Sequence, residues 1–327
     1  MKEATVMKII AFFAIIIALL VSGCGGDRVQ ADLPQTLQQQ VAVGGTIALP
    51  AGTIDVDCSD QVVISKTTTL IGQGRGLTII KDSCPTGDTF LVDVTKPATI
   101  SIQNLTIVHS TNSGTALRLT GGTLGFEAIL DRVLRLSSVD LKSAFNCLVS
   151  DGQNLLFVER SYVLGCANDG AQIGSFGVTL RDNWFGQNAR NGVTFVGAGF
   201  CAACNGNEYW LNRGHGLVYA VTGIADARHV GEYVDSNGDV GMVVNGVRDF
   251  TFNDGWIGSN GNGGAVVGDT VVGTVIVGNT FTNNTGPSLT VTETSGPLRV
   301  SGNVSSLRRG PPCDAKINGA CVDLNLL

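Results

Sequence analysis

The second half of the chain repeats itself every 22 to 25 residues, and this short period limits the folds open to it. Each copy has one or two bulky residues, then an asparagine, a glycine four positions later and alternating apolar residues. The clearest copies are "NWFGQNARNGVTF" (183–195), "EYWLNRGHGLVY" (208–219), "YVDSNGDVGMVV" (233–244) and "WIGSNGNGGAVV" (256–267). A unit this short cannot bury a hydrophobic core alone, so the units are expected to stack and share one.

The alternation inside each copy predicts short strands separated by turns. Stacked coils lie about 4.8 Å apart, which places like residues over like residues. The repeated asparagines should then form a buried ladder that hydrogen-bonds to the backbone and to its own neighbours. These asparagines are Asn188, Asn212, Asn237 and Asn260. Leucine-rich repeats are excluded because the fixed leucines and helix-forming residues are missing.

With this repeat, the chain resembles the right-handed parallel β-helices of the pectin-lyase-like superfamily. The segment "LPQTLQQQVAVGGTIALPAGTIDV" (33–56) is similar to the entry of that fold, a short capping helix followed by a first strand. The resemblance implies an all-β solenoid of ten or eleven coils over residues 33–306, capped by a helix around residues 37–41. Residues 307–327 would form a C-terminal tail with a Cys313–Cys321 loop.

The N-terminal residues are typical of a targeting segment. Lys8 is followed by an apolar run over 9–21, which is short for a membrane span and suits a signal peptide. The end of this segment, Val-Ser-Gly-Cys, resembles a bacterial lipobox. That resemblance implies a signal peptide over 1–23, a lipid on Cys24, a tether over 24–32, and an outer-membrane lipoprotein of the cell envelope that faces either the periplasm or the exterior. An ordinary secretory signal with a chance cysteine is the alternative.

The remaining cysteines and the net charge narrow the class further. The net charge is −6 with scattered basic residues, which excludes a nucleic-acid footprint.

Eight cysteines remain besides Cys24, and an even number in an exported chain favours disulfides. Cys58 and Cys84 are 26 residues apart, close to one coil, so stacking predicts a disulfide between them. The pairing of Cys147 with Cys166 stays open.

His215 lies in a Gly-His-Gly segment within the repeat. Polygalacturonases of this fold carry such a segment, and the resemblance makes His215 a catalytic candidate. Those enzymes also carry Asn-x-Asp and Asp-Asp on the preceding coils. Here the preceding coil reads "QNARNG" (187–192), without a carboxylate, and the coil before it has only an adjacent Asn168-Asp169. A turn residue is therefore the favoured interpretation of His215.

A stripe of acidic residues precedes the asparagines on consecutive coils, at Asp182, Glu208, Glu232 and Asp254. If Glu232 and Asp254 stack, they lie about 5 Å apart, close enough to share a proton or a cation. By resemblance to pectate-lyase-like enzymes, the stripe would bind Ca²⁺, with a nearby arginine such as Arg228 as the base. The alternative is a solvated acidic edge without a ligand.

A second group of residues, Cys201, Cys204, Asp226 and His229, indicates a metal centre. Cys201 and Cys204 fall at the same offsets from Asn212 as Asp226 and His229 do from Asn237. Stacked in that register, the four side chains could form a tetrahedral Zn²⁺ site, although zinc is the less favoured ion. A disulfide between the two cysteines is the favoured alternative, and a redox role is the third.

Two functions follow from these features. The first is a lipid-anchored enzyme acting on acidic glycans, as a polysaccharide lyase, hydrolase or epimerase. The second is a non-catalytic module that binds or adheres to surface glycans. Either function makes polysaccharide the expected partner, with the membrane contacted only through the lipid. The aromatic residues before the asparagines are candidates for sugar stacking: Trp184, Tyr209, Trp210, Tyr233 and Trp256.

Overall fold

The computed structural model describes residues 36–56, 58, 61–122, 129–268, 270–292, 296–306 and 313–327. The expected signal peptide, Cys24 and the expected tether lie outside these residues. Leu37–Leu327 forms one unit by its internal contacts. Within the described parts of the chain, no helix is long and apolar enough to cross a membrane.

The described residues contain one α-helix and 31 strands. Helix α1 spans Leu37–Val43. The strands in the first half are β1 (Gly45–Ala48), β2 (Gly52–Val56), β3 (Val62–Ile64), β4 (Thr68–Ile71), β5 (Thr78–Asp82), β6 (Asp88–Val94), β7 (Ala98–His109), β8 (Thr115–Gly121), β9 (Arg132–Lys142), β10 (Asn146–Asp151), β11 (Leu155–Glu159), β12 (Tyr162–Leu164), β13 (Ala171–Ile173), β14 (Gly177–Arg181) and β15 (Trp184–Gly186). Those in the second half are β16 (Val193–Gly197), β17 (Cys201–Asn205), β18 (Glu208–Trp210), β19 (Leu217–Ala225), β20 (Arg228–Val230), β21 (Tyr233–Asp235), β22 (Val240–Asn253), β23 (Trp256–Gly258), β24 (Gly263–Val267), β25 (Val272–Val277), β26 (Thr280–Thr282), β27 (Leu289–Val291), β28 (Leu298–Ser301), β29 (Val304–Ser306), β30 (Ala315–Ile317) and β31 (Ala320–Val322).

Each coil places one strand on each of three parallel faces. The first face contains β11, β14, β17 and β20, the second contains β12, β15, β18, β21 and β23, and the third contains β13, β16 and β19. The long strands β7, β9 and β22 bend across two faces. The predicted all-β parallel solenoid is confirmed, with about ten turns. The C-terminal β31 differs, since it pairs antiparallel with β30.

The chain turns sharply at two corners of each coil, before and after the strand of the second face. At both corners a residue with positive φ precedes a residue that points inward. The positive-φ residues of the first corner are Arg160, Asp182, Gly206, Gly231, Asp254, Gly278 and Gly302, and those of the second are Gly165, Gln187, Leu211, Ser236, Ser259 and Asn283. Along a strand, side chains point alternately inward and outward. The residue with positive φ interrupts this alternation, so the side chain of the residue after it points inward and is buried.

Two buried ladders result. At the second corner, Asn188, Asn212, Asn237 and Asn260 each accept the backbone N–H of the preceding coil's ladder residue at 3.0–3.2 Å. The side-chain amides of Asn212, Asn237 and Asn260 also donate to backbone carbonyls, at 3.0–3.1 Å. The first corner holds a second ladder, which the sequence analysis did not predict, built from Asn183, Asn207, Glu232, Asn279 and Asn303. Both ladders satisfy backbone groups that burial would otherwise leave unpaired.

Apolar side chains fill the interior, because inward positions alternate along every strand. Rings on successive coils stack, with Phe185 and Tyr209 centroids 5.6 Å apart and Phe195 and Tyr219 centroids 4.5 Å apart. Helix α1 packs Leu37 and Val41 onto this core. Its Gln38 accepts the N–H of Val63 at 2.7 Å, which pairs a backbone group of β3 at the N-terminal end.

Four disulfides link the described cysteines. They join Cys58 to Cys84, Cys147 to Cys166, Cys201 to Cys204 and Cys313 to Cys321. The first connects neighbouring coils, as their spacing predicted. The second, which the sequence left open, bridges cysteines 19 residues apart.

Candidate functional site

Glu232 does not belong to an exposed acidic stripe. Its side chain is fully buried, where its two carboxylate oxygens accept the backbone N–H of Asn207 at 2.8 Å and the Asn207 side-chain amide at 3.2 Å. Its Oε1 also lies 3.3 Å from Nδ1 of His229. Burial raises the pKa of Glu232 above its ordinary value of 4.5, against the opposing effects of His229 and Asn207. The expected sharing of a proton or cation between Glu232 and Asp254 is wrong, because Asp254 is exposed at the corner.

The other members of the expected stripe are also separated. Asp182 and Asp254 occupy positive-φ positions of the first corner and face solvent. Glu208 points outward from β18 on the second face. Arg228 lies outside on the first face and pairs with Asp226 at 3.7 Å. The predicted calcium stripe with Arg228 as base is therefore not assembled.

The predicted zinc set is not assembled either. Cys201 and Cys204 are joined to each other, and a disulfide sulfur is not the thiolate that Zn²⁺ requires. Cys204 does stack on His229, but Asp226 is an exposed residue of the preceding turn. His229 is fully buried, with Nε2 2.7 Å from the Tyr219 hydroxyl. Among the described residues, two sets of side chains bring three potential metal-ligand atoms close together: Cys58–Asp82–Cys84 and Cys204–His229–Glu232. Both sets include cysteines that form disulfides.

A continuous polar network runs along the loops between the second corner and the third face. We call it the polar ridge, and it consists of Asn146, Asn168, Asp169, Arg190, Asn191, His215, Asp239 and Asn262. Most members fall two or three positions after the inward residue of the corner. Successive coils therefore place them side by side, and each coil is linked to the next.

Asp169 and Arg190 form the centre of the ridge. The Asp169 side chain is fully buried, whereas that of Arg190 is 51% exposed. Arg190 donates from Nε to Oδ1 at 2.7 Å and from Nη2 to Oδ2 at 2.5 Å, a bidentate pair. Oδ1 also accepts the Asn191 N–H at 3.1 Å. The buried carboxylate thus fixes a guanidinium whose outer edge faces solvent, an arrangement suited to binding an anion.

His215 lies one coil further on. Its backbone N–H donates to Asn191 Oδ1 at 2.9 Å, and its ring Nδ1 donates to the Val240 carbonyl at 3.0 Å. In the neutral ring this bond leaves Nε2 with the lone pair. Nε2 lies 3.7 Å from Oδ2 of Asp239, and the imidazole is 26% exposed. His215 is thus held in one orientation, with a proton-accepting nitrogen beside a carboxylate.

Asp239 is oriented in turn. Its Oδ1 accepts the Val240 N–H and the Asn262 side-chain amide, both at 2.9 Å. Oδ2 is then the oxygen that faces the imidazole. With the coil spacing of about 4.8 Å and the rise of about 3.4 Å along a strand, the Cα atoms of Arg190 and His215 are about 6 Å apart. The Arg190 guanidinium extends back to Asp169 and the His215 ring extends forward to Asp239, so the two groups face neighbouring sugar residues of a polymer that lies along the ridge.

The second face presents aromatic side chains next to the ridge. Tyr162, Trp184, Trp210, Tyr233 and Trp256 occupy its outward positions. Tyr209 does not join them, because it is fully buried in the core and stacks on Phe185. The expected role of Tyr209 in sugar stacking is wrong.

Sequence reasoning missed the ridge partners of His215. Residues 187–192 contain no carboxylate, and Asn168-Asp169 lacks the spacing of Asn-x-Asp. The repeat nevertheless held the signal, because Asp169, Asn191 and His215 share one offset from the inward corner residue, as Asn168, Arg190 and Asp239 share another.

Comparison with solved structures finds the same architecture. The chain is similar to the A-module of mannuronan C-5 epimerase AlgE4 from Azotobacter vinelandii, with a TM-score of 0.71 and 17% identity over 84% of this chain and 83% of that one. It is also similar to the AlgE6 A-module from the same organism, with a TM-score of 0.68 and 18% identity over 84% and 82%. The chain is a right-handed parallel β-helix.

A more distant likeness extends to bacteriophage CBA120. The enzymatically active domain of its tailspike protein 2 has a TM-score of 0.59 and 13% identity over 83% of this β-helix and 40% of that chain. No family model matches the sequence, and a comparison with curated protein sequences finds no match. At these identities the likeness is one of fold.

Proposed function

We propose that the chain acts on an acidic polysaccharide at the polar ridge, as a lyase or epimerase of uronate residues. The observation that carries the proposal is the guanidinium of Arg190, fixed by buried Asp169 on the coil next to the oriented imidazole of His215. The similar solved structures support it, since two are modules of mannuronan C-5 epimerases and one is an enzymatically active tailspike domain.

The two side chains match the requirements of the first chemical step. Arg190 pairs with the carboxylate of a neighbouring sugar residue and holds the acidic polymer so that the next uronate reaches His215. Nε2 of His215 accepts the C5 proton as general base. Asp239 stabilises the resulting imidazolium. In epimerisation, water delivers a proton to the opposite face of C5 and the imidazolium returns its proton to solvent. In elimination, the electron pair of the C5–H bond forms the C4–C5 double bond as the C4–O bond breaks, and the leaving oxygen takes a proton from the imidazolium or from water.

Hydrolysis is the less favoured reaction at this site. Glycoside hydrolysis generally uses two carboxyl groups, one on each side of the scissile bond. On the ridge, Asp169 is buried and bound to Arg190, and only Asp239 keeps an oxygen turned to the outside. Non-catalytic glycan binding is the second candidate function, favoured by the aromatic residues of the second face.

Abstraction of the C5 proton tests the proposal, because epimerisation and elimination share that step. The purified protein would be incubated in D₂O with polymannuronate, polyguluronate and polygalacturonate, with Ca²⁺ or with chelator. Deuterium at C5 is measured by mass spectrometry and new double bonds by ultraviolet absorbance. We expect C5 deuterium or new double bonds on at least one polymer, and a loss of roughly 100-fold or more in the rate of that reaction in His215→Gln.

Arg181→Gln is the matched control, since Arg181 is 57% exposed on the first face. It should leave the rate unchanged, whereas Arg190→Lys should raise KM because it loses the bidentate pair. New reducing ends with neither C5 deuterium nor new double bonds, or full activity in His215→Gln, would overturn the proposal.

We also propose that residues 1–24 direct export and lipid attachment at Cys24. The apolar run after Lys8 and the lipobox resemblance support this. Labelling of expressing bacteria with a palmitate analogue should mark the wild-type protein, with the mark lost in Cys24→Ser. A labelled Cys24→Ser variant would contradict the assignment.

A further inference from the structure

The tryptophans of this chain are concentrated on one surface. The sequence has three, and Trp184, Trp210 and Trp256 all occupy outward positions of the second face. Tyr162 and Tyr233 lie on the same face, whereas the other two tyrosines are fully buried. In a chain with only 6% aromatic residues, this face therefore holds all the tryptophans and every tyrosine outside the core.

The rings form two groups along the solenoid axis. Tyr162 and Trp184 have centroids 5.3 Å apart, and Trp184 and Trp210 are 5.7 Å apart. Further along, Tyr233 and Trp256 are stacked at 6.0 Å with an interplanar angle of 14°. The latter two side chains are 39% and 37% exposed. Partial exposure of such large apolar rings to water costs free energy. Their exposure here therefore indicates a binding partner.

Glycines let two of the indoles lie across the sheet. A Cβ atom on Gly258 would be 2.6 Å from Trp256 Nε1, and one on Gly186 would be 3.4 Å from Trp184 Nε1. Each indole therefore covers the glycine two positions ahead on its own strand. Rings in this position present a broad surface to a flat apolar ligand.

The polar groups between the two ring groups are acidic. Glu208 interrupts the aromatic column between Trp184 and Tyr233, and Asp235 stands beside Trp210 on the next coil. In β15, β18, β21 and β23, the outward positions contain these two carboxylates and no lysine or arginine. Burial, Asp235 and Glu208 together raise the pKa of Tyr233, so its phenol stays protonated as a hydrogen-bond donor.

We propose that the second face binds an uncharged polysaccharide, whose pyranose rings stack on the aromatic side chains while Glu208 and Asp235 accept hydrogen bonds from its hydroxyl groups. Carbon–hydrogen faces of sugars are apolar and their edges carry donors, which matches alternating rings and carboxylates. Glu208 and Asp235 disfavour an acidic glycan along β15, β18, β21 and β23 by like-charge repulsion. The guanidinium of Arg75 lies 4.0 Å from the ring centroid of Tyr162, at the end of the face away from these carboxylates. This site stands apart from the reaction at the polar ridge, whose Arg190 selects the opposite charge class.

Tryptophan fluorescence reports on this face alone, because it holds all three tryptophans. The intact protein would be titrated with cellohexaose, mannohexaose and laminarihexaose, and with hexagalacturonate as the acidic comparison. We expect at least one neutral hexasaccharide to change the fluorescence with little dependence on salt. Trp256→Ala and Tyr233→Ala should each weaken binding, measured by calorimetry, roughly tenfold.

Phe157→Ala is the control, since Phe157 occupies an outward position of β11 on the first face. C5 exchange on acidic polymers is measured for every variant and should be retained, which separates failure of this site from failure of the ridge reaction. Absence of any fluorescence response to the neutral sugars at millimolar concentration overturns the proposal. Preferential binding of hexagalacturonate that Trp256→Ala weakens and Arg190→Lys leaves unchanged overturns it as well. Self-association in sedimentation velocity that Trp256→Ala abolishes, without a sugar response, also overturns it.

Discussion

Asn207 donates its backbone N–H to Oε2 of Glu232 on the next coil of the solenoid, at 2.8 Å. A carboxylate thus occupies a ladder position that asparagine fills on other coils, such as Asn279 and Asn303. The substitution keeps the acceptor for the neighbouring coil but brings an ionisable group into the core. Burial opposes its ionisation, and His229 compensates only in part.

Glu232→Gln should become relatively more stable than the wild type as pH rises. The folded pKa of Glu232 lies above its ordinary value of 4.5, so the stability it contributes is fully present below about that pH and is lost as pH rises through the folded pKa. Glutamine keeps an acceptor for Asn207 and does not ionise. The difference in Tm, variant minus wild type, should therefore increase from pH 4 to pH 8 in calorimetric scans.

The same substitution on the outer surface, Glu159→Gln, controls for the loss of one charge. A Tm difference that stays constant or falls with pH would contradict the assignment of Glu232 as a destabilised buried carboxyl.

Removal of one ladder asparagine should cost much more than removal of an exposed one. In Asn212→Ala the backbone N–H of Asn188 and the carbonyl of Phe185 lose their partner in a buried corner. Each buried unsatisfied group costs about 1–3 kcal/mol, so we expect a loss of about 3 kcal/mol in the free energy of unfolding. Asn262→Ala, on the exposed end of the ridge, should change it by less than about 0.5 kcal/mol. Urea unfolding measures both, and equal effects would mean that the ladder is dispensable.

The period and the ladder at the second corner could be predicted because one residue type, asparagine, recurs at one offset. The ladder at the first corner escaped prediction because its positions mix serine, asparagine, glutamate and glycine: Ser161, Asn183, Asn207, Glu232 and Gly255. Glu232 and Glu208 look alike in sequence, both near the start of a second-face strand. A register difference of one residue buries the first and exposes the second.

The polar ridge escaped prediction for a different reason. Spacing within one coil does not show which side chains of neighbouring coils touch, and the ridge is built from such contacts. Arg190 reaches back to Asp169, which is 21 residues earlier, and His215 reaches forward to Val240, which is 25 residues later. Stacking of the coils brings these residues close together in space although they are far apart in the sequence. Which side chains meet depends on the exact register between neighbouring coils.

Leu211 is a β-helix corner residue whose replacement should stabilise the fold. Its φ is +53°, a conformation that costs a residue with a Cβ roughly 1–2 kcal/mol, and its side chain is 42% exposed. Leu211→Gly should therefore gain about 0.5–1 kcal/mol in the free energy of unfolding, after the entropy cost of glycine. At the other corner, Gly206→Ala should lose stability, since φ is +65° and the new Cβ would lie 2.7 Å from Asp182 Oδ1. Opposite signs in urea unfolding check the pair, and a loss in Leu211→Gly would contradict the account.

Asp169→Asn separates two roles of the Asp169 carboxylate, accepting the Asn191 N–H and holding the Arg190 guanidinium. Asparagine keeps an acceptor for the Asn191 N–H but loses the charge-assisted bidentate pair with Arg190. Because the arginine is then free to move, the proposed enzyme should bind acidic polymer more weakly, with KM raised roughly tenfold and kcat changed less. His215→Gln should show the reverse split, since it removes the base and leaves the anion site intact. A kcat loss in Asp169→Asn as large as that in His215→Gln, with KM unchanged, would place Asp169 in the chemical step and contradict its role as the support of Arg190.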